Sequence, residues 1–82
     1  MNISGIVVHA HPDKVDKVRT QLEEIPGVEI HAVGADGKMV VTIEKNDDRE
    51  VVDVFETIAK LSGVLSTGMV YHHFEPDSTE LV

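Results

Sequence analysis

Apolar residues recur along this chain with two periods, and the switches between them mark out strand, helix, strand, strand, helix, strand in that order. Residues 3–10 are rich in β-branched side chains and alternate, placing Ile6, Val8 and Ala10 on one face and Gly5, Val7 and His9 on the other. Pro12 stops that strand and suits the first turn of a helix, where Asp13 and Asp16 lie near the positive end of the helix dipole. Val15, Val18, Leu22 and Ile25 then follow at helical spacing, leaving Asp16, Lys17, Arg19, Thr20 and Glu23 outside, until Pro26-Gly27 breaks the pattern. A second strand over residues 28–33 alternates Val28, Ile30 and Ala32 against Glu29, His31 and Val33. The Asp36-Gly37 pair predicts a hairpin turn of the primed type, whose backbone demands residues tolerant of positive φ. The return strand, residues 38–44, sets Met39, Val41 and Ile43 against Val40, Thr42 and Glu44.

Asn46-Asp47-Asp48 opens a second helix, whose apolar side carries Val51, Val52, Val54, Phe55, Ile58, Ala59 and Leu61 before Ser62-Gly63 ends it. The last strand, residues 63–74, has no clean polar face. Plain alternation puts Val64, Ser66, Gly68 and Val70 on the side that lets helices approach, and Leu65, Thr67, Met69 and Tyr71 on the other. A repeat joins the two halves: Leu22-Glu23-Glu24-Ile25-Pro26-Gly27-Val28 and Ile58-Ala59-Lys60-Leu61-Ser62-Gly63-Val64 share apolar, two variable, apolar, small or proline, Gly, Val.

Two interlocked strand-helix-strand units with right-handed crossovers predict an α+β fold, the ferredoxin-like split βαβ sandwich (βαββαβ). Its four-stranded antiparallel sheet would have order 4-1-3-2 and both helices on one face. Residues 1–74 would form this single domain, and the polar residues 75–82 a disordered tail. Alternation then assigns Ile6, Val8, Val28, Ile30, Met39, Val41, Ile43, Val64 and Val70 to the helix side. The open face would carry Val7, His9, His31, Val33, Val40, Thr42, Leu65, Thr67, Met69 and Tyr71, an apolar patch larger than a monomer leaves bare without reason.

Length and charge narrow the function classes. At 82 residues there is room for one small core and no deep cleft. Fifteen acidic against seven basic residues give a net charge of −8, which repels nucleic acid and anionic lipid and attracts cationic partners. The absence of cysteine removes disulfides, thiolate nucleophiles and thiolate metal sites. No basic region followed by an apolar run opens the chain, and no apolar stretch reaches the roughly 20 residues of a membrane helix. The reading is a soluble cytoplasmic protein with no membrane insertion.

Five histidines raise metal binding, with the fold expected to bring His9 and His11 toward His72 and His73. Adjacent strand residues point to opposite faces, however, so His72 and His73 cannot share one site, and they read as ordinary edge residues. Ser4, Ser62 and Ser66 have no supporting nucleophile elbow, and the glycines form no phosphate-cradling loop between a strand and a helix. Neither an enzyme nor a cofactor site is expected. Tyr71 and Met69, with Leu65, Val7 and Val40, instead make the open face an adaptable binding surface.

The segments Ser-Gly-Ile-Val-Val-His-Ala at residues 4–10, Ile-Pro-Gly-Val-Glu-Ile-His at 25–31, Asp-Gly-Lys-Met-Val-Val-Thr-Ile-Glu at 36–44 and Gly-Val-Leu-Ser-Thr-Gly-Met-Val-Tyr-His-His at 63–73 resemble the NapD family. The resemblance spans nearly the whole chain up to Phe74 and departs from the family at Thr67 and Gly68, which make the last strand less apolar. It implies a cytoplasmic chaperone that binds the twin-arginine signal peptide of the periplasmic nitrate reductase catalytic subunit through its sheet. Export would then wait until the molybdenum cofactor is inserted. An acidic domain with an apolar face complements a signal with a cationic end and an apolar segment. The binding residues expected are Val7, His9, Val40, Thr42, Leu65, Thr67, Met69 and Tyr71; the sequence does not single out the acids that meet the arginines, for which Glu44, Glu75 and Asp77 are candidates by position alone. The peptide could cross the face or add to the free edge of the last strand. The competing reading is a small-molecule-sensing or dimerising regulatory domain whose face packs on a second copy; a weak homodimer is compatible with either.

Overall fold

The computed structural model describes residues 2–74, the side chains of 72–74 excepted; the expected disordered tail, residues 75–82, lies outside the described residues. Strand β1 (Asn2–Ala10) leads through a 3-10 turn (Pro12–Lys14) into helix α1 (Val15–Glu23). Strands β2 (Val28–Val33) and β3 (Lys38–Lys45) form a hairpin, and helix α2 (Asp48–Ala59) leads to β4 (Val64–Phe74). All strand pairs are antiparallel and the sheet order is β2-β3-β1-β4, the ferredoxin-like order expected.

The helices cover one face of the sheet. Ile6, Val8 and Ala10 of β1 and Met39, Val41 and Ile43 of β3 are fully buried against Val18 and Leu22 of α1 and Val51 and Ile58 of α2. Val28, Ile30, Val54, Phe55, Leu61 and Val64 pack around that centre. Val52, expected on the inner side of α2, is half exposed; it follows Val51 by one residue, about 100° around the helix, and so falls off the inner stripe. Asp47 caps α2 by accepting a hydrogen bond from the Glu50 N–H at 2.9 Å. Buried Asn2 donates through Nδ2 to Asp48 Oδ1 at 2.7 Å, tying the start of β1 to the start of α2.

The repeat seen in the sequence is a repeat in hydrogen bonding. Ile25 N–H donates to the Leu22 carbonyl and Leu61 N–H to the Ile58 carbonyl, both at 3.1 Å. Val28 N–H donates to Ile25 and Val64 N–H to Leu61, both at 3.2 Å. Between them Gly27 and Gly63 hold φ of +86° and +96°, a region closed to most side chains. Each glycine carbonyl then accepts at 2.8 Å from the neighbouring strand end, Gly27 from Glu44 and Gly63 from His11.

The hairpin turn differs from the one expected. No residue other than glycine has positive φ among the described residues, so Asp36 does not enter a primed turn. Instead residues 34–37 make a four-residue loop in which Gly37 N–H donates to the Gly34 carbonyl at 3.1 Å and Gly34 N–H to Lys38 at 2.7 Å. Asp36 Oδ1 accepts from Lys38 N–H at 3.1 Å. Gly37 takes φ +94° and lies against the Ala10 carbonyl.

Register is where simple alternation fails. β1 and β3 pair without interruption from Asn2–Lys45 to His9–Lys38. β4 carries two extra residues against β1: Ala10 pairs with Val64 but His9 with Ser66, leaving Leu65 over, and Ile6 pairs with Met69 but Gly5 with Tyr71, leaving Val70 over. In β2, Ile30 pairs with Val41 but Ala32 with Val40, leaving His31 over. Each β-bulge moves the following residues to the opposite face. Ser66 and Gly68, expected under the helices, therefore lie on the open face, and Thr67 and Met69 turn toward the helices. Val70, also expected under the helices, is 65% exposed at its bulge. Ala32 and Val33 exchange sides in the same way: Ala32 shares the open face with Val40, and Val33 lines a depression with Pro12, Asp13 and Val15 beside α1.

Candidate functional site

Directly paired residues of antiparallel strands share a face, so the open surface can be built row by row. One row crosses Ser66, His9 and Lys38. The next crosses all four strands through Gly68, Val7, Val40 and Ala32, with no charge and no large side chain. The third runs through Tyr71, Gly5, Thr42 and Glu29, and the last holds Ile3 and Glu44.

Of the expected binding residues, Val7, His9, Val40, Thr42 and Tyr71 share this face. Val40 is 47% and Tyr71 49% exposed. The Tyr71 ring lies directly over Gly5, where any Cβ would collide with it. Thr42 Oγ1 and His31 Nε2 are hydrogen-bonded at 2.8 Å, and His31 is 4.0 Å from Glu29 Oε1, so the β2 side of the third row is polar and linked. Leu65, a bulge residue, is exposed along the β4 edge. Thr67 and Met69 depart from the open face: Thr67 pairs with buried Val8, and Met69 lines a groove of about 360 Å³ with Asp48, Val51 and Val52 of α2.

Exposed apolar residues therefore gather along the β4 edge on both of its sides. Leu65, Met69, Val70 and Tyr71 are all between 45% and 65% exposed, and Val52 adjoins them from α2. At the opposite corner Glu29 and Glu44 give the open face its negative end, while Lys38 and His9 occupy the other end of the strands. Glu44 is thus on the face as expected; Glu75 and Asp77 lie outside the described residues. Reading the sequence overlooked Glu29, although its alternation with Ile30 was the signal for it. It also assigned Gly68 to the wrong side.

The histidines do not converge. β1 and β4 run antiparallel, so His9 pairs with Ser66 while His72 pairs with Ser4 near the far end of the ladder. Among the described residues no three His, Cys, Asp or Glu side chains gather as a metal site would require. No described helix is long and apolar enough to cross a membrane.

Comparison with known proteins agrees with this architecture. The Chaperone NapD of Escherichia coli (strain K12) is 29% identical over 79 residues, covering 95% of this chain and 91% of its own. The Chaperone NapD of Haemophilus influenzae is 29% identical over 72 residues, covering 87% of this chain and 77% of its own. The solution structure of the E. coli Tat proofreading chaperone protein NapD superposes with a TM-score of 0.81 at 29% identity, over 95% of this chain and 83% of that one. The NapD protein family model matches residues 1–76, so this chain belongs to the NapD family, a family of chaperones and not of enzymes.

Proposed function

We propose that this chaperone binds the twin-arginine signal peptide of the periplasmic nitrate reductase catalytic subunit in the cytoplasm, using the open sheet face and its β4 edge. The observation that carries this reading is the exposed apolar surface formed by Val40, Leu65, Val70 and Tyr71, with half-buried Val7 on the same face, on a domain of net charge −8. A twin-arginine signal combines a cationic end with an apolar segment, and each finds its complement here. The resemblance of this fold to a protein described as a Tat proofreading chaperone supports the same partner.

Occupation of the signal by the chaperone would keep it from the export machinery, delaying transport until the molybdenum cofactor is inserted. Titrating the isotopically labelled chain with a synthetic twin-arginine signal peptide tests the binding step. Amide shifts should gather in β1, β3 and β4. Shifts confined to α1 and the outer side of α2 would reject the reading.

A further inference from the structure

Gly68 is a glycine that the fold does not need. Glycine weakens a strand, because it loses more backbone freedom on folding and offers no side chain for packing. Elsewhere the reason for it is visible. Gly27, Gly37 and Gly63 take positive φ, Gly5 lies under the Tyr71 ring, and a Cβ on Gly34 would press against Asp36 Oδ1 at 2.9 Å. Gly68 has neither excuse: its φ is not positive, and a Cβ placed on it would meet no atom within 4 Å. It sits exposed on the open face opposite Val7, in the one row that crosses all four strands without a charge. A strand glycine often marks a bulge, a bend or a place where a ligand or another backbone comes close; Gly68 lies between the bulges at Leu65 and Val70 but is itself paired in register with Val7, which favours the last.

The row has direction. At its β4 end stand Tyr71 and the exposed Leu65 and Val70; at its β2 end Glu29 borders Ala32, with Glu44 beyond. Across three inter-strand spacings, about 14 Å, the surface passes from apolar to acidic. We infer that the bound signal peptide crosses the sheet along Gly68, Val7, Val40 and Ala32, its apolar segment against Gly68 and its arginines beside Glu29. The assignment rests on the signal-peptide reading above and adds to it a path, a polarity and a steric gate. Opposite charges meet at one end only, so the reversed peptide would lay its arginines on Leu65 and Tyr71, away from Glu29.

The test uses the full chain and a synthetic peptide of two arginines followed by an apolar segment, with a nitroxide at either terminus. The label on the arginine end should broaden the amides of Glu29 and Ala32, and the label on the apolar end those of Gly68 and Tyr71. Gly68→Val should fold with a melting temperature equal to or above that of the parent and bind the peptide about tenfold more weakly, the loss of one well-packed contact. If Gly68→Val unfolds, Gly68→Ala, whose single methyl has open space, should still weaken binding about threefold. Glu29→Gln should cost about fivefold at low salt and little at high salt. Undiminished affinity in the folded glycine variants, or the opposite broadening pattern, overturns the path while leaving signal-peptide binding intact. A peptide that fails to bind the parent chain, or a homodimer closing this face in sedimentation, overturns the signal-peptide reading itself and the path with it.

Discussion

The half of the chain ending in β2 and the half ending in β4 leave their helices through the same turn and then diverge. Leu22 and Ile58 are both fully buried, and Gly27 and Gly63 share one backbone conformation and the same flanking hydrogen bonds. Beyond that turn each half sends its last strand to an edge of the sheet. β2 carries Glu29, the His31–Thr42 hydrogen bond and small Ala32; β4 carries Leu65, Met69, Val70 and Tyr71. What the halves share holds the fold, and what separates them makes the surface unequal from edge to edge.

That division can be broken at several depths. The largest effect belongs to the shared core: Leu22→Ala and Ile58→Ala should each cost about 3 kcal/mol in urea unfolding, because both leave a void in a closed centre. A loss at one site less than half that at the other would show that the halves are not equivalent. Next come the shared glycines. Gly27→Ala and Gly63→Ala should each lose about 2 kcal/mol from forcing a side chain into positive φ. The Gly27 change should be the larger, since its Cβ would lie 2.7 Å from the Glu44 carbonyl oxygen, whereas at Gly63 the nearest atoms belong to the Lys14 and Val18 side chains.

Changes past the turn should behave differently. Leu65→Ser and Val70→Ser should alter stability by about 0.5 kcal/mol or less, since both side chains are mostly exposed, yet weaken binding of a twin-arginine peptide by about 1 kcal/mol in calorimetric titration. Equal losses of stability and affinity would place these residues in the fold and not in the surface. Smallest of all, Thr42→Val, which removes the hydroxyl bonded to His31, should shift the unfolding midpoint by about 0.5 kcal/mol or less, because that bond is exposed to water.

The fold was legible in the sequence because its two central strands obey strict alternation and its helices carry apolar residues at helical spacing. Ile6, Val8, Met39, Val41 and Ile43 are buried as their periodicity requires. The candidate surface was legible only in part. A bulge inserts one residue and reverses every side chain after it, and nothing in the composition around Leu65, Val70 or His31 announces it. Thr67 and Met69 were therefore placed on the working face and Gly68 beneath the helices. Bulges depend on how a strand meets its neighbour, which is information that one strand's own pattern lacks. The Asp36-Gly37 turn failed for a related reason: the pair occurs in two loop types, and Gly37 seated against the Ala10 carbonyl goes with the longer one.

The three bulges all lie on the outer strands, Leu65 and Val70 on one rim and His31 on the other. A molecule that keeps greasy side chains in the open while it waits for a client runs a second hazard: its rims could join those of other copies and polymerise into an endless ribbon. A kinked rim offers a stacking neighbour only short straight runs of donors and acceptors, so filaments find no template. The same irregularities that reverse the side chains of β2 and β4 thus also work against edge-to-edge stacking of copies.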